Sequence, residues 1–291
     1  MIVQPPQVAS KTLKPPWLKV RFPSHSDYFS VSSLIEGGGL HTICRSAKCP
    51  NIAECWTRRT ATFLILGAVC TRACAFCAVD KGAPAPPDPT EPERVAAAAA
   101  ALQLAYAVVT SVTRDDLADG GAGQFVATIR ALRRRLPNVK IEVLIPDFGG
   151  RPEPLAAVLA ERPEVLNHNL ETVERIYPAI GRPRSNYPRS LEVLRQAKEA
   201  GAVTKSGLMV GLGESPDEIR RAFADLRAAG CELLTIGQYL QPTRSHADAD
   251  RYVPPDEFEL MRNEALRSGF AGVEAGPLVR SSFHAHELYA T

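Results

Sequence analysis

The chain has 291 residues, 45% of them hydrophobic, with 34 lysines and arginines against 32 aspartates and glutamates. That length suits one large domain or two small ones with a buried core. Balanced charge without a long basic run gives no electrostatic basis for binding nucleic acid or an acidic membrane, and 24 prolines in short clusters exclude a collagen-like or disordered chain. The longest apolar stretch, Val95 to Val109, is shorter than the roughly 20 residues a membrane span needs and reads as a helix followed by a strand. The opening MIVQPPQVASK lacks the features of a signal peptide. A cytoplasmic, reducing location is therefore expected. There, seven cysteines, six of them between positions 44 and 77, point to metal or redox chemistry rather than disulfides.

Residues 1–60, with Pro5-Pro6, Pro15-Pro16, Gly37-Gly38-Gly39 and the aromatic anchors Trp17, Phe22, Tyr28 and Phe29, suggest an extended, packed arm. From residue 61 apolar runs suited to buried parallel strands recur at 61–67, 105–111, 139–145, 164–168, 203–210 and 232–239. Amphipathic helices lie between them. Thr90 caps the first, and Ser215-Pro216-Asp217-Glu218 opens one that stops at Gly230. Another, from about Gln124 to Leu136, buries Phe125, Ile129 and Leu132 and turns Arg130, Arg133 and Arg134 to water. A helix over 188–200 ends at Gly201. Six strand-helix units fit either a doubly wound sheet or an incomplete barrel.

Unusual chemistry follows every strand: CTRACAFC, TSVTRDDLADGG, IPDFGG, NHNLET, GLGES and QYLQPT. In a parallel array these loops share one rim, whereas a doubly wound sheet concentrates contacts at a switch point. The expected fold is thus an α/β, incomplete (β/α)6 TIM-like barrel over 61–245, with an N-terminal arm over 1–60 and a C-terminal extension over 246–291.

Cys70, Cys74 and Cys77 form C-x3-C-x2-C in the first rim loop, beside Phe76. Three such thiolates can hold three irons of a cubane and leave the fourth open, whereas structural zinc usually pairs two C-x2-C hooks. Cys44, Cys49 and Cys55 form C-x4-C-x5-C in the arm; alone, this spacing also fits a zinc site completed by His41 or His25. The first motif resembles the signature of the radical S-adenosylmethionine superfamily. The two together, read in CRSAKCPNIAECW and FLILGAVCTRACAFCAV, resemble the lipoyl synthase family. The resemblance extends from about residue 40 to 285, through VTSVTRDDLADGGA, VLNHNLETVERIY, TKSGLMVGLGE, GQYLQPT and VRSSFHA. The chain departs from the family pattern at Thr113 (usually aspartate), Gln241 (commonly arginine) and Phe283 (usually tyrosine).

The resemblance implies two [4Fe-4S] clusters and S-adenosylmethionine as cofactors. It implies Ser282 as fourth ligand of the auxiliary cluster at Cys44, Cys49 and Cys55, with Ser281 as the other register. A serine alkoxide is a hard ligand, more easily released than a thiolate. The implied reaction is reductive cleavage of S-adenosylmethionine at the Cys70 cluster. The resulting radical abstracts hydrogen from an octanoyl chain on a carrier lysine, and sulfur from the auxiliary cluster is inserted twice. Octanoylated lipoyl carrier domains or a glycine cleavage H-type protein, a reducing electron donor and an iron-sulfur carrier are the implied partners; neither nucleic acid nor membrane is. A two-cluster enzyme with an electron-relaying auxiliary cluster, and a metal-binding sensor without turnover, are the alternatives. If the arm donates sulfur, it and Ser282 must fold over the open rim; clusters at opposite barrel ends would sink the sulfur-donor reading.

Further candidates surround that rim. Ser111 ends the second strand, and Asp119-Gly120-Gly121 offers unobstructed backbone to an amino acid moiety, or an ordinary turn. Asn169 and Glu171 could meet ribose hydroxyls or the amino group, or open a helix. Arg189 and Lys205 could pair a carboxylate, though surface placement is the plainer reading of Arg189. Gly207, Gly211 and Gly213, before Glu214, resemble an adenine-stacking motif. Gln238 and Tyr239 close the barrel, His168 reads as a structural histidine, and Cys231 as a small buried hydrophobe. No role is expected for Thr243 to Arg251.

Overall fold

The structure is a computed structural model describing residues 14–20 and 22–290, so the Pro5-Pro6 pair and the opening segment lie outside it. The described part of the arm is helical rather than extended. After a 3-10 turn at Pro16–Leu18 come α1 (Ser26–Gly37), β1 (His41–Thr42), α2 (Ile43–Ser46) and α3 (Ile52–Thr57). Val31 and Ile35, one turn apart in α1, are both 1% exposed, and this burial organises a segment whose serines hide its helical period. Of the expected aromatic anchors only Tyr28 packs inward, its ring 5.2 Å from that of fully buried Trp56. Trp17, Phe22 and Phe29 are exposed.

The strands follow where the apolar runs place them: β2 (Thr62–Ile65), the two-residue pair β3 (Val69–Cys70) and β4 (Asp80–Lys81), then α4 (Glu91–Ala101), β5 (Tyr106–Ser111), α5 (Ala122–Arg135), β6 (Lys140–Leu144), α6 (Pro152–Ala160), β7 (Val165–Asn167), α7 (Asn186–Glu199), β8 (Val203–Val210), α8 (Pro216–Ala228) and β9 (Leu233–Gln238). The chain continues through α9 (Pro255–Arg267), β10 (Gly272–Gly276) and α10 (Ala285–Tyr289). The main sheet runs β1-β2-β5-β6-β7-β8-β9-β10. β1 is antiparallel to β2, the other neighbours are parallel, and the two edge strands do not meet, which leaves an open barrel. Six strand-helix units are present, and β10, from the segment expected as an extension, adds a seventh parallel strand against β9.

Local signals explain most helix ends. Ser215 and Glu218 form a capping box on α8, and Gly230 and Gly201 lie just past α8 and α7 with positive φ. Thr90 precedes α4 but does not cap it with its side chain, because its hydroxyl is engaged by Asp88 and Arg94. Phe125, Ile129 and Leu132 are fully buried on α5, while Arg130 and Arg134 pair with Glu161 and Glu93. Among the described residues no helix is long and apolar enough to cross a membrane.

The lumen carries a polar floor. Lys205 Nζ lies 3.0 and 3.1 Å from the Glu142 carboxylate, which also accepts from the Tyr106 hydroxyl at 2.8 Å and Asn167 Nδ2 at 3.1 Å.

Candidate functional site

Cys70 ends β3, and Cys74 and Cys77 sit in the rim loop that leads from it to β4. Backbone contacts hold that loop: the Ala75 amide donates to Ile180 O (2.9 Å), the Ala247 amide to Ala75 O (2.9 Å), and His246 Nε2 meets Cys77 O at 3.0 Å. The Thr243–Arg251 stretch, expected to be without a role, therefore clamps the loop. The amides of Arg72 and Thr113 point at Cys70 Sγ, at 3.4 and 3.3 Å. Burial raises the Cys74 thiol and pushes Cys77 up to about 11, with neighbouring thiols adding to the effect.

Cys44 and Cys55 lie on α2 and α3, and Cys49 in the loop between them. Burial pushes Cys44 up to about 11 and Cys55 up to about 12, each thiol further disfavouring ionisation of the next; burial also raises Cys49. The amides of Thr62 and Asn51 face Cys44 and Cys49. Both trios thus pair poor solvation with N–H donors aimed at sulfur, a setting that suits thiolates only when iron supplies the positive charge. Among the described residues no three Cys, His, Asp or Glu side chains converge on a point where they could hold one metal ion. All seven cysteines are free thiols.

The arm trio does not fold over the rim. β1 descends antiparallel to β2, so Cys44 falls beside Thr62, the first residue of β2, at the opposite end of the strands from Cys70. The two trios are joined through the lumen instead. One cavity of ≈ 990 Å³ is lined by Cys44, Cys49, Cys55 and Ser282 below and by Cys77 and Phe76 above. Opposite barrel ends therefore do not separate the trios, because one continuous cavity reaches from the lower cysteines to Cys77.

A smaller cavity of ≈ 160 Å³ beside Cys70, Cys74 and Cys77 is lined by Ser111, Asn169 and Glu171. Tyr239 lines the large cavity, its hydroxyl donating to Ala247 O at 2.7 Å. The structure brings Gly120, Gly121, Arg189 and Lys205 to neither cavity. Gly121 precedes α5 with φ 91°, and a Cβ there would stand 2.3 Å from Leu66 Cδ1; its amide donates to Asp119. Gly120 packs on Phe148, and its amide donates to Leu117 O. Arg189 turns to Asp147 at 3.4 Å, and Lys205 is committed to the floor. Ser282 Oγ accepts from the Thr62 hydroxyl at 2.8 Å, whereas Ser281 Oγ donates to Asn169 Oδ1 at 3.0 Å.

Reading the sequence missed Arg182 and Asp147. Arg182 follows Gly181, lines the small cavity 3.9 Å from Glu171, and leaves its buried Nε without a partner. Burial raises Glu171. Asp147 is also buried, but the hydrogen bond and charge of Arg72 hold it well below the usual carboxylate range. His168 is structural as expected: its ring nitrogens meet Ile145 O and Ser190 Oγ, and burial lowers it to about 4. Cys231 is fully buried.

Parallel strands, an open barrel and a three-cysteine rim loop define a class, and residues 64–226 match the radical SAM superfamily. Solved structures agree on the fold. HydG, a maturase of the [FeFe]-hydrogenase, superposes with a TM-score of 0.58 at 14% identity, over 84% of this chain and 63% of that one. Streptococcus suis SuiB bound to S-adenosylmethionine gives 0.54 at 12% identity, over 75% and 50%. Within that class the chain belongs to the lipoyl synthase family. It is 52% identical over 279 residues to the lipoyl synthase of Chlorobium limicola, covering 95% of each chain, and 55% identical to that of Chlorobaculum parvum over 94% of each. The lipoyl synthase of Mycobacterium avium is 54% identical over 95% of this chain and 90% of its own. Membership makes it a sulfurtransferase with S-adenosylmethionine and [4Fe-4S] clusters as cofactors and a lipoyl carrier as substrate.

Proposed function

We propose that the chain inserts two sulfur atoms into an octanoyl group held on a carrier lysine, and that the substrate chain occupies the lumen between the two trios. The observation that carries this reading is the cavity lined by Cys44, Cys49 and Cys55 at one end and by Cys77 at the other. When bound, the clusters and S-adenosylmethionine supply a hydrogen-abstracting radical and sulfide, chemistry that unactivated carbon does not offer to acid or base. Cys70, Cys74 and Cys77 are assigned to the cluster that binds S-adenosylmethionine, with Ser111, Asn169, Glu171 and Arg182 around its polar groups. Gly120, Gly121 and Arg189 are given supporting roles behind that site, and Lys205 a role in the floor.

Cys44, Cys49, Cys55 and Ser282 are assigned to the auxiliary cluster. What favours Ser282 over Ser281 is Thr62, whose hydroxyl holds Ser282 while its amide faces Cys44. The lumen also restrains stray hydrogen donors. The hydroxyls of Tyr106 and Tyr239, both lining the cavity, are committed to Glu142 and Ala247 O.

A cytoplasmic setting fits the free thiols. An H-type protein or lipoyl domain is the carrier, served by a low-potential electron donor and an iron-sulfur carrier. The test is anaerobic turnover with an octanoyl-lysine peptide beside free octanoate, with isotopically labelled cluster sulfide. Labelled lipoyl product from the peptide supports the reading. Unlabelled product selects an electron-relaying auxiliary cluster, and absence of S-adenosylmethionine cleavage selects the sensor.

A further inference from the structure

After β10 the chain does not leave the barrel but crosses it. The Val279 amide donates to Gly276 O at 3.1 Å and turns the chain back, while Asn51 Nδ2 holds Leu278 O at 2.6 Å. Ser281 then bonds to Asn169, which lines both cavities, and Ser282 bonds to Thr62 at the foot of β2. Two consecutive serines are thus held toward different cysteine sites by anchors more than 100 residues distant in sequence.

The crossing needs room on the wall formed by β8 and β9. A Cβ on Gly237 would stand 2.1 Å from Val279 O and 3.1 Å from its carbonyl carbon. On Gly207 it would stand 2.7 Å from Asn169 Oδ1 and 3.0 Å from Ser281 Oγ. Neither glycine has a left-handed φ, so backbone freedom does not explain them. What the missing side chains provide is space. The obstruction at Gly237 is backbone, and the Leu278–Val279 peptide just before it is fixed on both its polar groups by the Gly276 and Asn51 bonds. At Gly207 it is side-chain oxygen, which can rotate away.

We propose that Gly237 and Gly207 are positioning residues that seat the Val279–Ser282 crossing and so set Ser282 at the site of Cys44, Cys49 and Cys55. The inference rests on Ser282 as the fourth ligand and adds what places it there. Gly237→Ala displaces the crossing most, and Gly207→Ala displaces it less.

The test uses the full chain carrying Cys70→Ala, Cys74→Ala and Cys77→Ala, so that only the auxiliary site can be loaded with iron and sulfide. The electron paramagnetic resonance spectrum of the reduced protein and its iron content are compared for this parent, Ser282→Ala, Gly237→Ala, Gly207→Ala and the Gly237→Ala, Ser282→Ala pair. The expected result is a Gly237→Ala spectrum shifted to that of Ser282→Ala, a partial shift for Gly207→Ala, and a paired variant no different from Ser282→Ala alone, since a residue acting through another does not add to its loss. In the chain with all cysteines restored, Gly237→Ala lowers product per chain by about 100-fold, the loss that a misplacement near 1 Å brings, and still cleaves S-adenosylmethionine.

Parental spectra in both glycine variants, or a paired variant altered beyond Ser282→Ala, overturn the proposal. An unchanged Ser282→Ala spectrum overturns the ligand assignment, and the seating role with it. Should Gly237→Ala not accumulate folded, Gly207→Ala decides alone: its partial shift supports the seat, and a parental spectrum overturns it.

Discussion

The two cysteine trios are built on different principles. The upper one spans eight consecutive residues, and its supports are mostly backbone groups: the amides of Arg72 and Thr113 on Cys70, the Ala75 amide on Ile180 O and the Ala247 amide on Ala75 O, with the His246 ring on Cys77 O. The lower one spans two short helices, and a C-terminal segment completes its surroundings through Thr62 and Ser282. A site whose cysteines are closely spaced in one segment and held mainly through backbone bonds tolerates exchange of the side chains around it. A site closed by a distant segment depends on every residue that guides the segment home.

The largest expected effect separates the trios. Alanine at Cys70, Cys74 or Cys77 abolishes cleavage of S-adenosylmethionine and therefore all product. Alanine at Cys44, Cys49 or Cys55 abolishes product but leaves cleavage in place. Chromatographic measurement of 5′-deoxyadenosine and of product mass in the same anaerobic reactions checks both halves. Loss of cleavage in the lower variants would show that the trios are not separable.

The next effect concerns the polar floor of the lumen. Lys205→Met leaves the Glu142 carboxylate buried without its cation, a change expected to cost about 3–5 kcal/mol of stability. Adding Glu142→Gln should recover most of it, since the charge that lacked a partner is gone. Urea denaturation of the three chains measures both steps. A neutral Lys205→Met would mean that water or a rearranged Tyr106 reaches Glu142.

A pH effect belongs to the upper half. His168 takes up a proton near 6.5 in the unfolded chain but only near 4 in the fold. Between those values the unfolded chain binds more protons, so stability falls as pH drops through that window, by about 3 kcal/mol when complete. Melting temperatures from pH 7 to 4.5 should show the loss, and His168→Gln should flatten it.

Much of this plan is legible in the sequence because it is local. Buried strands are short apolar runs, helix ends carry Ser215 or Gly230, and C-x3-C-x2-C lies in one loop. What is not legible depends on pairing across the chain. β10, read from GVEAG, has no long apolar run and becomes a strand only against β9. α1 is diluted by serines until Val31 and Ile35 find the core. Arg182 and Asp147 acquire meaning only when Glu171 and Arg72 are brought beside them. The through-lumen route was hidden for the same reason: nothing in CRSAKC states which end of β2 it will reach.

The smallest expected effect probes the tolerance claimed for the upper trio. Thr113 stands where the family usually has aspartate, yet it serves the site through its backbone: its amide points at Cys70 Sγ, and its carbonyl accepts from the Thr71 amide at 3.1 Å and hydroxyl at 3.0 Å. Thr113→Asp keeps all three bonds. Its effect on folding stability should stay within about 0.5 kcal/mol, and S-adenosylmethionine cleavage should persist at the parental rate. Gly237→Ala also exchanges a single small group, but at the lower site it meets backbone rather than open cavity. A Thr113→Asp chain that cleaves S-adenosylmethionine normally, beside a Gly237→Ala chain that cleaves it yet makes little product, would show the two construction principles in one pair of assays. Impaired cleavage in Thr113→Asp would instead mean that the upper site reads side chains as closely as the lower one.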